Sequence, residues 1–320
     1  MPLDPLVKAF LDQAAMIPRP KMWQLPPGAA RASFAGMMGL VGPQNVAVGK
    51  VENFTIPVSA AGPGPQRNIA ARAYAPIAIS SEPHAALIFF HGGGFVVGGL
   101  ETHDGLCRLL CAEGNLRIIA VDYRLAPEHT YPAALDDALA ATTWIAANAA
   151  QLGIDPARIA VGGDSAGGML AAIVTQLARD KGGPSLAFQL LMFPNTQMGG
   201  ETASLNEFAV GYFLERHTIE WFNSQYAPAE TDRASPLVSP LRATNFVGLP
   251  PAYVMLGGYD PLHDEGMAYA QKLRAAGVTV TIADHTDMVH CFIYLQTVLP
   301  QAHVALADAA HAVSAALEAA

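Results

Sequence analysis

Long apolar runs, cysteine, charge and a basic excess are all scarce in this 320-residue chain, and each shortage excludes something. No apolar run approaches the ~18 to 20 residues that a membrane-spanning helix requires. The N-terminus also lacks the basic stretch followed by an apolar one that marks a secretory signal. A soluble, cytoplasmic protein is the expectation. The three cysteines, Cys107, Cys111 and Cys291, are too few and too unevenly spaced for a disulfide framework. Cys107 and Cys111 stand four apart on a predicted helix face, where they read as core packing rather than metal ligands. Only 14% of residues are charged, and 18 Lys and Arg against 27 Asp and Glu leave a formal net charge of −9. That sign is wrong for gripping a phosphate backbone, so nucleic acid is not an expected partner. Nucleotide loops are missing as well. Gly92-x-Gly94 is followed by Val97 where a dinucleotide fingerprint needs glycine, and the glycines from Gly162 to Gly168 precede no Lys-Ser/Thr pair.

What the chain does have is apolar material, 52% of residues, enough for a substantial core in one large α/β domain or two smaller ones. The most informative stretch is 156–168. Ile159-Ala160-Val161 reads as a short buried strand, and Ala166 to Leu177 as a packed helix. Between them lies Gly163-Asp164-Ser165-Ala166-Gly167, a match to Gly-x-Ser-x-Gly. In that motif a sharp strand-to-helix turn holds the serine hydroxyl out of the sheet, and flanking glycines avoid clashes with neighbouring backbone. Ser165 is the predicted nucleophile. The Ala166 N–H, at the helix N-terminus, is placed to stabilise an oxyanion.

The remaining segments take their places around it. Val7, Phe10, Leu11 and Ala14 have the spacing of an amphipathic helix opened by Pro5. Residues 18–49, rich in proline, glycine and scattered methionine and aromatics, predict an irregular or partly helical segment able to cover a pocket. Val51–Pro57 and Ile69–Tyr74 predict paired edge strands around a Gly/Pro turn at 62–65, and 80–83 a loop. Ala85–Phe90 predicts a strand buried on both faces that runs into His91-Gly92-Gly93-Gly94. Successive glycines at a strand end can aim backbone N–H groups at an anion, so Gly93 and Gly94, with Gly92 close behind, are the predicted oxyanion donors. Leu116–Val121 is the next strand. After it, Arg124 flanked by Asp122 and Glu128 predicts an ion-pair cluster bracing a loop.

A helix over 131–152 leads back to the Ser165 strand. This alternation predicts right-handed crossovers and a mostly parallel sheet. Leu186–Phe193 is a further strand. Residues 195–235 break the alternation with an aromatic-rich helical insertion, predicted to join the N-terminal segment as a cap with apolar walls. The predicted organisation is therefore residues 1–50 as the N-terminal part of the cap, 51–194 and 236–320 as the two parts of the core, and 195–235 as the cap insertion. Strand 252–256 ends near Asp260, which lies closer to the strand than Asp264 and is preferred as the orienting acid. Strand 278–282 is followed by a predicted loop containing His285 and His290, of which the more distant His290 is preferred. The order Ser165, Asp260, His290 is that of α/β hydrolases and not of chymotrypsin or subtilisin.

Four motifs, His91-Gly-Gly-Gly-Phe95, Asp122-Tyr-Arg-Leu-Ala-Pro-Glu128, Gly163-Asp-Ser-Ala-Gly-Gly168 and Tyr259-Asp-Pro-Leu-x-Asp-Glu265, together resemble the hormone-sensitive-lipase-like (family IV) esterases, with likeness along nearly the whole chain. The resemblance implies a capped α/β-hydrolase fold, a Ser165-Asp260-His290 triad and an oxyanion hole from the glycines after His91 plus Ala166. It implies no cofactor, no metal, a small-molecule ester as substrate, and the homodimers common among its members. It further implies hydrolysis of short to medium chain acyl esters through an acyl-enzyme. The rival functions are an amidase or formamidase on the same triad and a non-catalytic small-molecule receptor like the plant gibberellin receptors. The chain departs from the family at the histidine. Cys291 follows His290 where glycine is common, and Asp287 also replaces a frequent glycine. The expected effects are a displaced histidine loop and a carboxylate that raises the imidazole pKa if the two approach closely.

Overall fold

The apolar runs become the strands of a single eight-stranded sheet. The structure, a computed structural model, describes residues 1–58, 67–78 and 82–320. The turn expected at 62–65 and residues 80 and 81 of the expected loop lie outside the described residues. In chain order the strands are β1 (Lys50–Val58), β2 (Arg67–Ala75), β3 (His84–Phe90), β4 (Arg117–Asp122), β5 (Ile154–Asp164), β6 (Phe188–Met192), β7 (Ala252–Tyr259) and β8 (Val280–Val289). The helices are α1 (Pro5–Met16), α2 (Pro27–Val41), α3 (Asp104–Gly114), α4 (Ala133–Ala147), α5 (Ala166–Lys181), α6 (Ala203–Glu207), α7 (Arg216–Tyr226), α8 (His263–Ala275) and α9 (Pro300–Glu318). Among the described residues, no helix is long and apolar enough to cross a membrane.

The spatial order is β1-β2-β4-β3-β5-β6-β7-β8. β1 pairs antiparallel with β2 and β2 with β4, and every later pairing is parallel. The sequence accounts for this division. Central β3, β4 and β6 are nearly unbroken apolar runs that are buried along almost their whole length, as a sheet covered on both faces requires. Edge strand β1 alternates and is mostly exposed. α3 and α9 pack together over one face, and α4 and α5 over the other, with α8 beside β7 and β8. This is the α/β-hydrolase fold, and it sends the carboxyl ends of β3, β5, β7 and β8 to the same edge of the sheet.

The N-terminal helix forms where its spacing predicts. Asp4 caps it by accepting the Leu6 and Val7 N–H groups at 2.7 and 3.2 Å, and Val7 is the side chain it buries. A second helix, α2, occupies part of the stretch expected to be irregular or partly helical, and its Arg31 reaches far along the chain. The guanidinium donates to the Val96 carbonyl at 2.8 Å and the Ala126 carbonyl at 2.9 Å, and grips both oxygens of Glu128. In the 195–235 insertion only α6 and α7 are helical.

Two expectations require correction. Arg124 does not pair with Asp122 or Glu128. The chain turns toward α4 after β4, so Arg124 meets the buried Asp137 in a two-pronged pair at 2.9 Å, while Glu128 is taken by Arg31 and Asp122 accepts a backbone N–H from Leu100. β8 is also longer than 278–282 and runs to Val289. β7 keeps pairing past its apolar stretch, with Gly257 opposite His285 and Tyr259 opposite Val289. His285 and Asp287 therefore sit on a strand and not in the histidine loop.

Among the described glycines, the closest backbone approach is at the turn after β5. A Cβ added to Gly167 would lie 1.8 Å from the Phe90 carbonyl oxygen, and one on Gly163 would lie 2.3 Å from that same atom. That obstacle is sheet backbone, which cannot swing aside. Gly167→Ala is therefore expected to destabilise the protein by about 3 kcal/mol or more, as read from urea or thermal melts against the wild type.

Candidate active site

Ser165 sits between β5 and α5 with φ +52 and ψ −113, a left-handed backbone that most residues avoid. The sheet holds it there. Its N–H donates to the Met192 carbonyl at the end of β6 at 2.8 Å, and its own carbonyl accepts from Met169 and Asn195. Asp260 follows β7 and is fully buried, with one carboxylate oxygen accepting the Leu262 N–H at 2.8 Å. His290 follows β8. Its Nδ1 lies 2.7 Å from the other Asp260 oxygen, and its Nε2 lies 3.1 Å from Ser165 Oγ. A carboxylate can only accept, so Nδ1 carries the proton, and Nε2 is left with its lone pair toward the serine hydroxyl. The structure thus brings together the three side chains chosen from the sequence. Asp264 is elsewhere, accepting the Ser204 N–H at 2.9 Å. His285 packs against Phe292, and burial lowers its pKa.

The candidate oxyanion donors divide. Gly92 N–H is already committed to Asp164 Oδ1 at 3.0 Å, so it is not free for a ligand. Gly93 and Gly94, with φ of +110 and +58, line the same cavity as Ser165, Ala166 and His290. A Cβ on Gly94 would lie 2.1 Å from the Phe222 ring, so this loop fits beneath α7 only as glycine. His91, just before the loop, is stacked on Tyr123 at 4.2 Å. Burial and the neighbouring His103 hold its pKa down to about 3, so it stays neutral and serves as packing.

Asp164 is the residue whose role the sequence left unread, although it stands inside the nucleophile motif. It is fully buried. It accepts from Gly92 at the end of β3 and from the Tyr294 hydroxyl beyond β8, and His103 Nε2 of the loop before α3 lies 3.6 Å away. Burial opposes its ionisation, but His103 and the Tyr294 hydroxyl outweigh burial and hold its pKa below the ordinary carboxylate value. One carboxylate thus joins the loop of the glycines, the nucleophile turn and the histidine loop. Nothing in local sequence pattern announces Tyr294 as its partner.

The histidine loop keeps its place despite its departures from the family pattern. Cys291 adopts φ +52 and ψ +31, a left-handed conformation that glycine takes more easily, and leads into a 3₁₀ turn at Phe292–Tyr294. Asp287 lies upstream on β8. Its backbone carbonyl accepts the Asp4 N–H at 2.9 Å, and its charge acts on His285.

Above Ser165 lies a cavity of about 480 Å³. Its upper walls come from α1, the turn at 18–22 and α2 on one side, and from 211–223 on the other, and include Phe10, Met22, Phe34, Phe213 and Phe222. An ion pair between Lys21 and Glu215 at 2.7 Å links the two walls. No cluster of metal-ligating side chains occurs among the described residues. On the floor beside the site, Glu265 is buried and accepts the Thr196 and Gln197 N–H groups at 2.6 and 3.0 Å.

Comparison with known proteins places this geometry in context. A family model described as alpha/beta hydrolase fold matches residues 87–294. The chain is 46% identical to the carboxylic ester hydrolase LipN of Mycobacterium tuberculosis over 239 residues, which is 73% of this chain and 63%, just under two thirds, of that protein. It is also 46% identical to the esterase LipI of the same organism, covering 75% of each chain. Among solved structures, an α/β hydrolase enzyme from the metagenome of Lake Arreo superposes with a TM-score of 0.92 at 41% identity over 98% of both chains.

Two measurements follow from the buried titratable groups. Burial, with the Asp260 charge behind it, raises the Glu265 pKa from 4.5 to about 8, against the pull of its two backbone donors. Between those values the folded chain holds a proton that the unfolded chain releases, so this residue costs stability increasingly as pH rises. Glu265→Gln keeps an acceptor for both N–H groups, and is expected to be more stable than wild type at pH 8, on the order of a few kcal/mol, with little difference at pH 4 in paired melts. Burial also raises all three thiols, Cys111 to about 12 and Cys107 and Cys291 well above the ordinary value. Iodoacetamide at pH 8 should therefore leave the folded protein unmodified by mass spectrometry, whereas all three cysteines alkylate in urea.

Proposed function

Starting from the fact that this chain belongs to the α/β-hydrolase family, in its hormone-sensitive-lipase-like branch, we propose that it is a serine carboxylesterase acting on short to medium chain acyl esters. The observation that carries this reading is the unbroken relay from Asp260 through His290 to Ser165, at 2.7 and 3.1 Å. The floor of an apolar cavity is where such a relay would meet an ester. Residues 1–50 and 195–235 are read as one cap over the core residues 51–194 and 236–320.

The chemistry follows from the parts. His290 Nε2 takes the Ser165 proton as Oγ attacks the ester carbonyl carbon, and Asp260 holds the ring in the required tautomer and stabilises the imidazolium. The carbonyl oxygen, now negative, turns toward the Gly93, Gly94 and Ala166 N–H groups. Asp164 serves these donors indirectly by occupying the Gly92 N–H and so fixing the loop. The alcohol leaves with the proton from His290, and the acyl group remains on Ser165 Oγ. Water then repeats the attack with His290 again as base, and the acid is released. A cavity of about 480 Å³ accommodates chains of modest length.

The test is hydrolysis of p-nitrophenyl esters from acetate to palmitate. Turnover is expected to peak at short to medium chains, and Ser165→Ala should reduce it by at least about 10⁴-fold while leaving the melting temperature in place. Retained activity in that variant would sink the proposal.

A further inference from the structure

A second cavity, of about 200 Å³, adjoins the first on the Asp260 side of the site. Asn195, Ile219, Asn223 and Leu262 line both, so these residues form the partition between them. The side cavity is bounded by Gln197, Arg216, Asn223 and Glu265, and its outer end by the exposed Glu201 and Glu220.

Asn195 marks the junction. It lies just after β6, and its backbone N–H donates to the Ser165 carbonyl at 3.3 Å, which ties it to the nucleophile's own residue. Its Oδ1 is buried, with no hydrogen-bond partner among the described residues. A buried acceptor of this kind is costly unless a donor reaches it, and in a polar, roomy site that donor is water. The second half of the reaction needs water at a moment when the first cavity is filled. The acyl chain then occupies the space above Ser165.

We propose that the side cavity is the entry route for the deacylating water, with Asn195 as its inner hydrogen-bonding station. This rests on the serine-esterase reading above. The step balances as follows. The water oxygen bonds to the acyl carbon while one of its protons passes to His290 Nε2. That proton then moves to Ser165 Oγ as the Oγ–acyl bond breaks, and the carboxylic acid departs. The assignment makes Asn195, Gln197 and Glu265 groups that guide water rather than contact the reacting ester.

The two half-reactions can be separated by stopped-flow release of p-nitrophenol from p-nitrophenyl butyrate, with the acyl-enzyme followed by quench and mass spectrometry. Leu205, in α6, lines the side cavity and not the main one, so Leu205→Trp fills it, and Gln197→Leu removes one polar group from its wall without adding bulk. Either variant is expected to keep the acylation rate within about twofold and to slow deacylation by about tenfold, so that acyl-enzyme accumulates. Equal slowing of both phases, or of neither, in a variant that melts like wild type would overturn the proposal. So would an effect confined to KM for esters of polar alcohols, which would make the cavity an alcohol subsite. If Leu205→Trp fails to fold, Gln197→Leu decides alone. Ester turnover retained in Ser165→Ala would instead bring down the esterase mechanism itself, and this proposal with it.

Discussion

The structure around the site depends on one buried charge. Ser165, the glycine loop and His290 are carried by three different strands, and in a sheet whose neighbouring strands lie about 4.8 Å apart, β8 stands three positions from β5. Strand pairing sets β3 beside β5, but nothing in it alone draws the His290 loop to them. Asp164 does so, because its carboxylate accepts from Gly92 on one side and Tyr294 on the other, with His103 close by. A buried carboxylate left bare would be strongly unfavourable, so each of these partners is held in place by the need to satisfy it. The residue next to Ser165 is thereby the one that sets where the glycine loop and the His290 loop stand.

This explains how much of the site could be read from the chain alone. Ser165, Asp260 and His290 were legible because each lies just beyond a strand and the three stand in a characteristic order. The sheet itself was legible from runs such as Ala85–Phe90, because burial on both faces leaves little room for polar residues. Partners chosen across space were not. Arg124 lies beside Asp122 in sequence and pairs with Asp137 thirteen residues on, since the direction of a side chain after a turn is set by tertiary packing. The extension of β8 through His285 was hidden for a related reason. Its polar residues pair with the end of β7 at the sheet's edge, where exposure permits them. Gly92 looked equivalent to its two neighbours, and only the position of Asp164 distinguishes it.

The departures at the histidine loop show how such a network absorbs change. A side chain in place of glycine at Cys291 imposes a left-handed residue next to His290, a modest local cost. The 3₁₀ turn that follows is anchored at Tyr294, and the His290 ring remains in line with both Asp260 and Ser165. The anchor therefore lies downstream of the strain, and the loop is held from both ends.

Arg31 has a bearing on how such proteins can be recombined. It belongs to α2, among the segments over the cavity, yet its guanidinium is bonded to Val96 beside the glycine loop, to Ala126 and to Glu128 of the core. The cover and the core thus share one recognition element, written half in each. A cover taken from a relative would dock in register only if it brought its own counterpart of Arg31 to a core that kept the two carbonyls and the glutamate. Arg31 and Glu128 therefore have to be exchanged together, and the N-terminal segment cannot be treated as an interchangeable part.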